Sequence, residues 1–158
     1  WEAAKAAGKD MEAFLKAVHW QSRDNARTPI QWDETVQAGF SSGKPWIPVN
    51  KNYPQINVAA AEKDPDSILH YYRKMIAYRK ANRCLVYGHF EDLLPQHPHL
   101  YVYKRWDDDD TYLIVHNFRG EKTNWEQKEA GYHLEIGNYI SPSSQHLSPW
   151  ESRIYRLV

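Results

Sequence analysis

The sequence predicts an α+β chain in which helices and a long irregular segment precede an antiparallel β-sandwich or small barrel of about 75 residues. Good helix formers fill residues 1–19, and a second helical pattern with an N-terminal capping signal runs over residues 65–81. After Asn82 the apolar residues recur with a period of two, which is typical of strands. We therefore predict a division of the chain into residues 1–82 and residues 83–158.

The N-terminal segment predicts two short helices or one weak helix, because Gly8 interrupts the helix formers of residues 1–19. Residues 21–61 then lose any period, since Pro and Gly punctuate them repeatedly. A loop of about forty residues is uncommon in a compact domain and is usually functional or anchored elsewhere. This segment also carries Trp32, Phe40, Trp46 and Tyr53, and so many aromatic side chains are not typical of a linker.

The clearest helix signal covers residues 65–81. Asp64 can cap the N-terminus with its carboxylate, and Pro65 suits the first helical position. One stripe of the predicted helix then carries Ile68, Tyr72, Met75, Ile76 and Arg79. We expect this stripe to be buried against other polypeptide.

The rest of the chain predicts short strands separated by turn residues. The predicted strands are residues 86–94, 100–106, 111–118, 122–127, 132–137 and 152–158. An acidic run at residues 107–110 is expected to form a solvated hairpin turn rather than a cation loop, because it lacks the spaced oxygens and the glycine of an EF-hand.

Composition excludes several classes of protein. Twenty basic and twenty acidic residues give zero formal charge, which predicts neither a nucleic-acid partner nor a membrane partner. No apolar run reaches the length of a membrane-spanning helix. The lone Cys84 cannot form an internal disulfide, so a cytoplasmic location is expected. The chain opens at Trp1 inside a helix-forming run, which indicates a fragment or a processed chain.

Seven Trp, eleven Tyr and four Phe make up 14% of the chain. Such rings fill a core or stack on the flat apolar faces of ligands such as sugars. From the residues alone, an autonomous sugar-binding module and a purely structural β-sandwich module both stay open.

The sharpest local feature is the polar stretch of residues 22–33, which contains Arg23, Asp24 and Arg27 and ends in an aromatic–acidic pair. A guanidinium presents parallel donors that suit a carboxylate or a pair of vicinal hydroxyls. The alternative is that these polar groups cap and staple the loop to itself.

This stretch and several later blocks resemble alpha-glucosidases of the alpha-amylase superfamily, in particular the oligo-1,6-glucosidase subgroup. The matching blocks are residues 22–33, 38–41, 45–50, 52–53, 56–58 and 67–80, followed more loosely by residues 86–88, 115–118, 137–139 and 147–157. The resemblance implies a fold made of the loop and last helix of a (β/α)8 barrel, followed by an antiparallel β-sandwich C-terminal domain.

The resemblance also implies a chemistry that this chain serves only in part. Retaining members of the family use an Asp nucleophile, a Glu acid/base and a second Asp, and all three precede the matching blocks. We therefore expect no catalytic residue here and an inactive isolated chain, whose partners are the N-terminal barrel portion of the same protein and an oligosaccharide substrate. An arginine of the first block reaches the non-reducing glucose in the family. That role falls to Arg27, with Arg23 as the reserve.

Other candidates favour structural roles. Tyr71, Tyr72 and Tyr78 are expected to pack the helix against the barrel, and Cys84 is expected to be a small buried residue. His97 and His99 alone do not make a metal site, so neither a metal nor a cofactor is predicted. Within the family, the activities of an oligo-1,6-glucosidase, a dextran glucosidase, a sucrose isomerase and a trehalose-6-phosphate hydrolase stay open.

Overall fold

The structure is a computed structural model that describes residues 1–126 and 130–158 and divides them into two compact units. The first unit is Trp1–Arg73 and the second is Lys74–Val158, so their boundary falls inside a helix. The domain division expected after residue 82 stays a prediction. Among the described residues, no helix combines the length and the apolar character that crossing a bilayer requires.

Two short helices begin the first unit, as the sequence predicted. Helix α1 is Glu2–Ala6 and helix α2 is Met11–Gln21. Gly8 separates them with a φ of +65°, which glycine adopts without the penalty of a Cβ. The Asp10 carboxylate then caps α2 by accepting the backbone N–H groups of its first turn at 3.0 and 3.2 Å.

The irregular segment that follows covers residues 22–57 and contains two 3₁₀ turns, Arg23–Ala26 and Val36–Gly39. It ends earlier than predicted, because helix α3 (Val58–Lys63) begins where Asn57 Oδ1 accepts the N–H of Ala60 at 2.8 Å. An Asn N-cap of this kind is a short-range signal that the proline-rich surroundings obscured.

Helix α4 is Ile68–Ala81, so it begins three residues later than predicted. The Asp64 carbonyl accepts the N–H of Ser67 at 3.1 Å, which closes a turn that contains Pro65. Ser67 rather than Asp64 caps the helix, because its Oγ accepts the N–H of His70 at 3.4 Å. The chain itself does not cover the apolar stripe, since Ile68 is 87% exposed and Tyr72 is 65% exposed, and its burial against other polypeptide stays a prediction.

A further short helix, α5 (Arg83–Tyr87), replaces the start of the strand predicted over residues 86–94. It ends at Gly88, whose N–H donates to the Cys84 carbonyl at 2.9 Å. A Cβ at Gly88 would lie 2.5 Å from that same carbonyl oxygen. Only glycine fits this close approach of two backbones, and strand pairing therefore starts one residue later.

The strands form two antiparallel sheets. A five-stranded sheet has the order β1-β2-β3-β7-β5, and β4 pairs with β6. The strands are β1 (His89–Asp92), β2 (Leu100–Trp106), β3 (Thr111–Asn117), β4 (Thr123–Asn124), β5 (Tyr132–Gly137), β6 (His146–Leu147) and β7 (Ser152–Leu157). The predicted combination of helices with antiparallel strands is confirmed. Strand β6 was missed because it is only two residues long, and Gln127 of the predicted strand 122–127 lies outside the described residues.

One face of the five-stranded sheet forms the core. Its cluster consists of Leu100, Val102, Leu113, Val115, Leu147 and Tyr155. Leu147 comes from β6 and is fully buried, so the small sheet contributes to the same core as the large one.

A buried ion pair holds the segment before β7 to that strand. Arg153 Nε donates to Glu151 Oε1 at 2.7 Å, and both residues are about 98% buried or more. The remaining guanidinium nitrogens donate to the carbonyls of Ser143 and His146 at 2.7 and 2.8 Å. The Glu151 carboxylate also accepts the N–H of Ser148 at 2.6 Å. Each charged atom therefore has a partner, as a buried charge requires.

Candidate functional site

The 3₁₀ turn Arg23–Ala26 positions the two candidate arginines. Ser22 Oγ accepts the N–H of Asp24 at 3.4 Å, and the Asp24 carbonyl accepts the N–H of Arg27 at 3.0 Å. The turn thus lies between Arg23 and Arg27, and both side chains are exposed. Among the side chains that the structure describes, neither guanidinium forms a hydrogen bond or an ion pair. The alternative that the polar side chains of this stretch cap the loop is therefore correct for Ser22, but not for Arg23 and Arg27.

Side-chain amides clamp the chain directly after Arg27. The Asn50 amide donates to Thr28 Oγ1 at 3.5 Å and to Gln31 Oε1 at 3.3 Å. The Gln31 amide in turn donates to Asn52 Oδ1 at 3.3 Å and to the Ile56 carbonyl. These bonds tie residues 28–31 to residues 50–56. The backbone next to Arg27 is therefore anchored to a segment that lies about twenty residues further along the chain.

A tight turn closes the segment on the other side. The backbone N–H and the hydroxyl of Thr35 both donate to Asp33 Oδ1, and these bonds lower the pKa of the Asp33 carboxyl below its ordinary value. Gln37 and Ala38 adopt φ values of 56° and 57°, which is uncommon for residues with a Cβ. Gly39 follows with a φ of +64°, and the Ala38 carbonyl accepts the N–H of Trp32 at 2.9 Å.

A cavity of about 340 Å³ opens beside Arg27. Its lining consists of Arg27, Thr28, Pro29, Ile30, Phe40, Pro45, Trp46 and Ile47. Phe40 is 46% exposed and Trp46 is 93% exposed. The Arg27 guanidinium, with its several N–H donors, thus shares a concave surface with apolar and aromatic groups, and this composition is typical of small-molecule sites.

The clamp and Trp46 were not predicted as parts of the site. An amide clamp leaves little signal in a single sequence, because Asn and Gln pair with many groups and the partners lie about twenty residues apart. Trp46 between two prolines was a visible signal, since a large aromatic side chain in an irregular segment is either core or contact surface.

The structure assigns structural contacts to most of the other candidates. His97 Nδ1 accepts the N–H groups of His99 and Leu100, so it caps a turn. Asp107 Oδ1 likewise accepts the N–H groups of Asp109 and Asp110 in the predicted hairpin turn. Among the described residues, no group of three or more His, Cys, Asp or Glu side chains could hold a metal ion.

Cys84 and Tyr78 are held in packed positions. Burial raises the pKa of the Cys84 thiol, and its Sγ lies 3.5 Å from the Asp110 carbonyl oxygen. This keeps the thiol protonated and unreactive. Tyr78 donates its hydroxyl to Glu135 Oε2 at 3.3 Å and packs edge-on against Tyr112, and burial raises its pKa. The prediction of a buried Cys84 is therefore confirmed, whereas the observed contacts of Tyr78 are with strands β3 and β5, and its packing against the barrel stays a prediction.

Comparison with known proteins relates the chain to one family. The sequence profile described as the alpha-amylase catalytic domain matches residues 1–88. The chain is 39% identical over 164 aligned residues to an oligo-1,6-glucosidase of Parageobacillus thermoglucosidasius, with 95% of this chain and 28% of that protein covered. It is 42% identical to an oligo-1,6-glucosidase of Heyndrickxia coagulans, with 92% of this chain and 26% of that protein covered.

A solved structure shows the same relation. The trehalose-6-phosphate hydrolase of Bacillus licheniformis superposes on this chain with a TM-score of 0.89 at 34% sequence identity. The superposition covers 99% of this chain and 30% of the hydrolase. The chain therefore spans less than a third of the length of these relatives.

Proposed function

This chain belongs to the alpha-amylase family, and from that membership we propose that it is the C-terminal portion of a retaining alpha-glucosidase that hydrolyses short alpha-glucosides. Residues 1–82 form the end of the (β/α)8 barrel in this proposal, with α4 as the last barrel helix, and residues 83–158 form the C-terminal β-sandwich domain. The names of its relatives support glycoside hydrolysis as the reaction class.

One observation carries the proposed role of the irregular segment. Arg27 is exposed and has no protein partner among the described residues, yet its backbone is clamped beside a concave surface. A guanidinium held in this way keeps its donors free and loses little conformational entropy when a ligand binds. We therefore assign Arg27 to the hydroxyls of a glucosyl unit, with Arg23 as the reserve residue.

The bond-breaking step belongs to other polypeptide in this proposal. Retaining glycosidases need two carboxyl groups on opposite sides of the glycosidic bond, one as nucleophile and one as acid/base. We place both in the part of the parent protein that corresponds to the remaining length of its relatives. The N-terminal barrel portion is therefore the partner that completes the site, and no cofactor is required.

A chimera tests this function. This chain would replace the matching segment of the Parageobacillus thermoglucosidasius oligo-1,6-glucosidase, and release of the aryl group from an aryl alpha-glucoside would be measured. We expect turnover by the chimera and none by the isolated chain. Turnover by the isolated chain would contradict the placement of the carboxylates.

The same chimera tests the two arginines separately. Loss of a hydrogen bond to a charged donor costs about 1.5–3 kcal/mol, so Arg27→Ala should lower kcat/KM by about 10- to 150-fold. Arg23→Ala is the matched control and should change kcat/KM by less than about threefold. A larger loss in the Arg23 variant than in the Arg27 variant would exchange their roles.

The cellular location is proposed from the cysteine content of the chain. Cys84 is buried and unpaired, so the fold makes no use of an oxidising compartment. We propose a cytoplasmic enzyme on this ground.

A further inference from the structure

The side-chain amide of Gln31 is the centre of the hydrogen bonds that fold the irregular segment back on itself. Its Nε2 donates to Asn52 Oδ1 at 3.3 Å and to the Ile56 carbonyl, and its Oε1 accepts an N–H of the Asn50 amide at 3.3 Å. A carboxamide has two N–H donors and one carbonyl oxygen, so these contacts occupy both donors and the oxygen. The Gln31 side chain is therefore fixed in one orientation.

The backbone of Gln31 is fixed as well. Its carbonyl accepts the N–H of Val58 at 2.8 Å. The carbonyl of the next residue, Trp32, accepts the N–H of Ala59 at 2.9 Å. Val58 and Ala59 begin helix α3, and the first N–H groups of a helix have no partner within it. The two carbonyls supply partners that α3 itself lacks, and the helix holds Gln31 in place in return.

Arg27 lies four residues before Gln31, and the chain between them is restricted. Thr28 Oγ1 accepts an N–H of the same clamp at 3.5 Å. Pro29 is buried, and its ring fixes its φ. On the other side, the Arg27 N–H donates to the Asp24 carbonyl at 3.0 Å. The backbone of Arg27 is therefore held from both directions along the chain.

We infer that Gln31 is a positioning residue, which holds the backbone of Arg27 so that its guanidinium meets the hydroxyls of a glucosyl unit in one arrangement. A loop that is ordered before binding loses little conformational entropy on binding, so a donor on such a loop binds more tightly than the same donor on a mobile one. The sugar contact of Arg27 rests on the proposed function, whereas the hold of Gln31 on the backbone does not. Gln31 itself acts only through Arg27.

Hydrogen exchange in the isolated chain tests the hold of Gln31 on the backbone. Gln31→Met keeps the length of the side chain and removes its hydrogen bonds. We expect exchange at the Arg27 and Val58 amides to become about 2- to 10-fold faster, as expected for the loss of exposed hydrogen bonds. Gln55→Met is the matched control, because the Gln55 side chain is exposed and forms no hydrogen bond with the part of the chain that the structure describes.

Kinetics of the chimera test whether this hold acts through Arg27. Gln31→Met should lower kcat/KM by about 3- to 10-fold, mainly through a higher KM, because the lost order must be regained when the sugar binds. In an Arg27→Ala background the same substitution should change kcat/KM by less than about twofold, since no guanidinium is then left to position. Gln55→Met should leave both constants unchanged.

A milder variant guards against loss of the fold in Gln31→Met. Asn50→Ala removes only the donors to Gln31 and Thr28, so it should change kcat/KM in the same direction by a smaller factor. Its effect should also disappear in the Arg27→Ala background.

Two results would overturn the inference. One is unchanged exchange at the Arg27 and Val58 amides in Gln31→Met. The other is an equal loss of kcat/KM with and without Arg27, because Gln31 would then stabilise the site independently of the arginine. A chimera that shows no turnover although residues 27 and 31 are unchanged would instead contradict the proposed function. The exchange rates of the isolated chain would then decide the inference alone, so the two proposals fail separately.

Discussion

The two compact units of the chain differ in what holds them together. In the Lys74–Val158 unit, a cluster of apolar side chains from both sheets is buried. The same unit buries the ion pair between Arg153 and Glu151. In the Trp1–Arg73 unit, the large apolar residues are mainly at the surface, as shown by Trp20 at 89%, Val36 at 79% and Trp46 at 93% exposure. Hydrogen bonds from side-chain amides to one another and to the backbone shape that unit instead.

This difference indicates which parts of the sequence determine the stability of the fold and which parts are available for contacts with other molecules. Buried apolar area is the dominant favourable term in folding, whereas an exposed hydrogen bond contributes about 1 kcal/mol or less. We expect substitutions in the sheets to change the free energy of unfolding strongly. Substitutions in the irregular segment should change local order and binding.

The largest expected effect is the removal of one partner from the buried ion pair. Glu151→Ala leaves the Arg153 guanidinium buried without its carboxylate, which should lower the free energy of unfolding by about 3–5 kcal/mol. Urea denaturation followed by circular dichroism measures this loss. The double variant Glu151→Leu with Arg153→Met should recover most of it, because no uncompensated charge then remains. A loss in the single variant below about 1 kcal/mol would contradict the proposed role of the pair.

The same pair predicts how stability depends on pH. Burial by itself raises the pKa of Glu151, but hydrogen bonds from Arg153 and Ser148 outweigh it and the pKa lies below its ordinary value. A carboxyl whose pKa is lower in the folded state stabilises the fold above the unfolded value of about 4.3, and loses that contribution as pH falls. We expect the urea midpoint to fall more steeply below about pH 4.3 in the natural chain than in the Glu151→Gln variant.

One substitution made in both units sharpens the comparison. Leu147→Ala removes a fully buried side chain and should cost about 2–5 kcal/mol. Leu15→Ala, at a position 39% exposed in α2, should cost less than about 1 kcal/mol. Equal losses of unfolding free energy for the two variants, measured by urea denaturation, would mean that the core of the Trp1–Arg73 unit stabilises the fold as much as the core of the second unit.

Apart from the control substitutions, the smallest expected effect lies in the turn of the irregular segment. Gly39→Ala would place a Cβ 2.6 Å from Asp33 Oδ2 at a φ of +64°, so we expect about 1–3 kcal/mol of local strain. Faster hydrogen exchange at the amides of residues 32–40 would report it. Gly43→Ala is the matched control, because its nearest neighbour is Ser41 Oγ at 3.9 Å. A similar change in exchange for both variants would contradict the strain argument.

Short-range signals in the sequence predicted much of the fold. Gly8 divided the N-terminal helix as expected, and the period of two predicted β2 and β5 with their observed bounds. The signal failed where a neighbour in space decided the conformation. Residues 86–87 have strand propensity but lie in α5, because the chain must turn at Gly88 against the backbone of Trp106.

The candidate site was predictable only in part for the same reason. The stretch that contains Arg23 and Arg27 was recognisable from its residues, and the binding role predicted for them stays a prediction. The Asn50–Gln31 clamp and the cavity beside Trp46 depend on how distant parts of the segment fold back on each other.

The sequence by itself determined the order of the helices and strands, the neutral charge and the polar stretch with two arginines, because these depend on neighbouring residues and on composition. The tertiary structure alone decided which arginine lies on a cavity and which polar atoms are paired. Those properties depend on atoms that are far apart along the chain and in contact only after folding, and local propensity carries no information about such pairs.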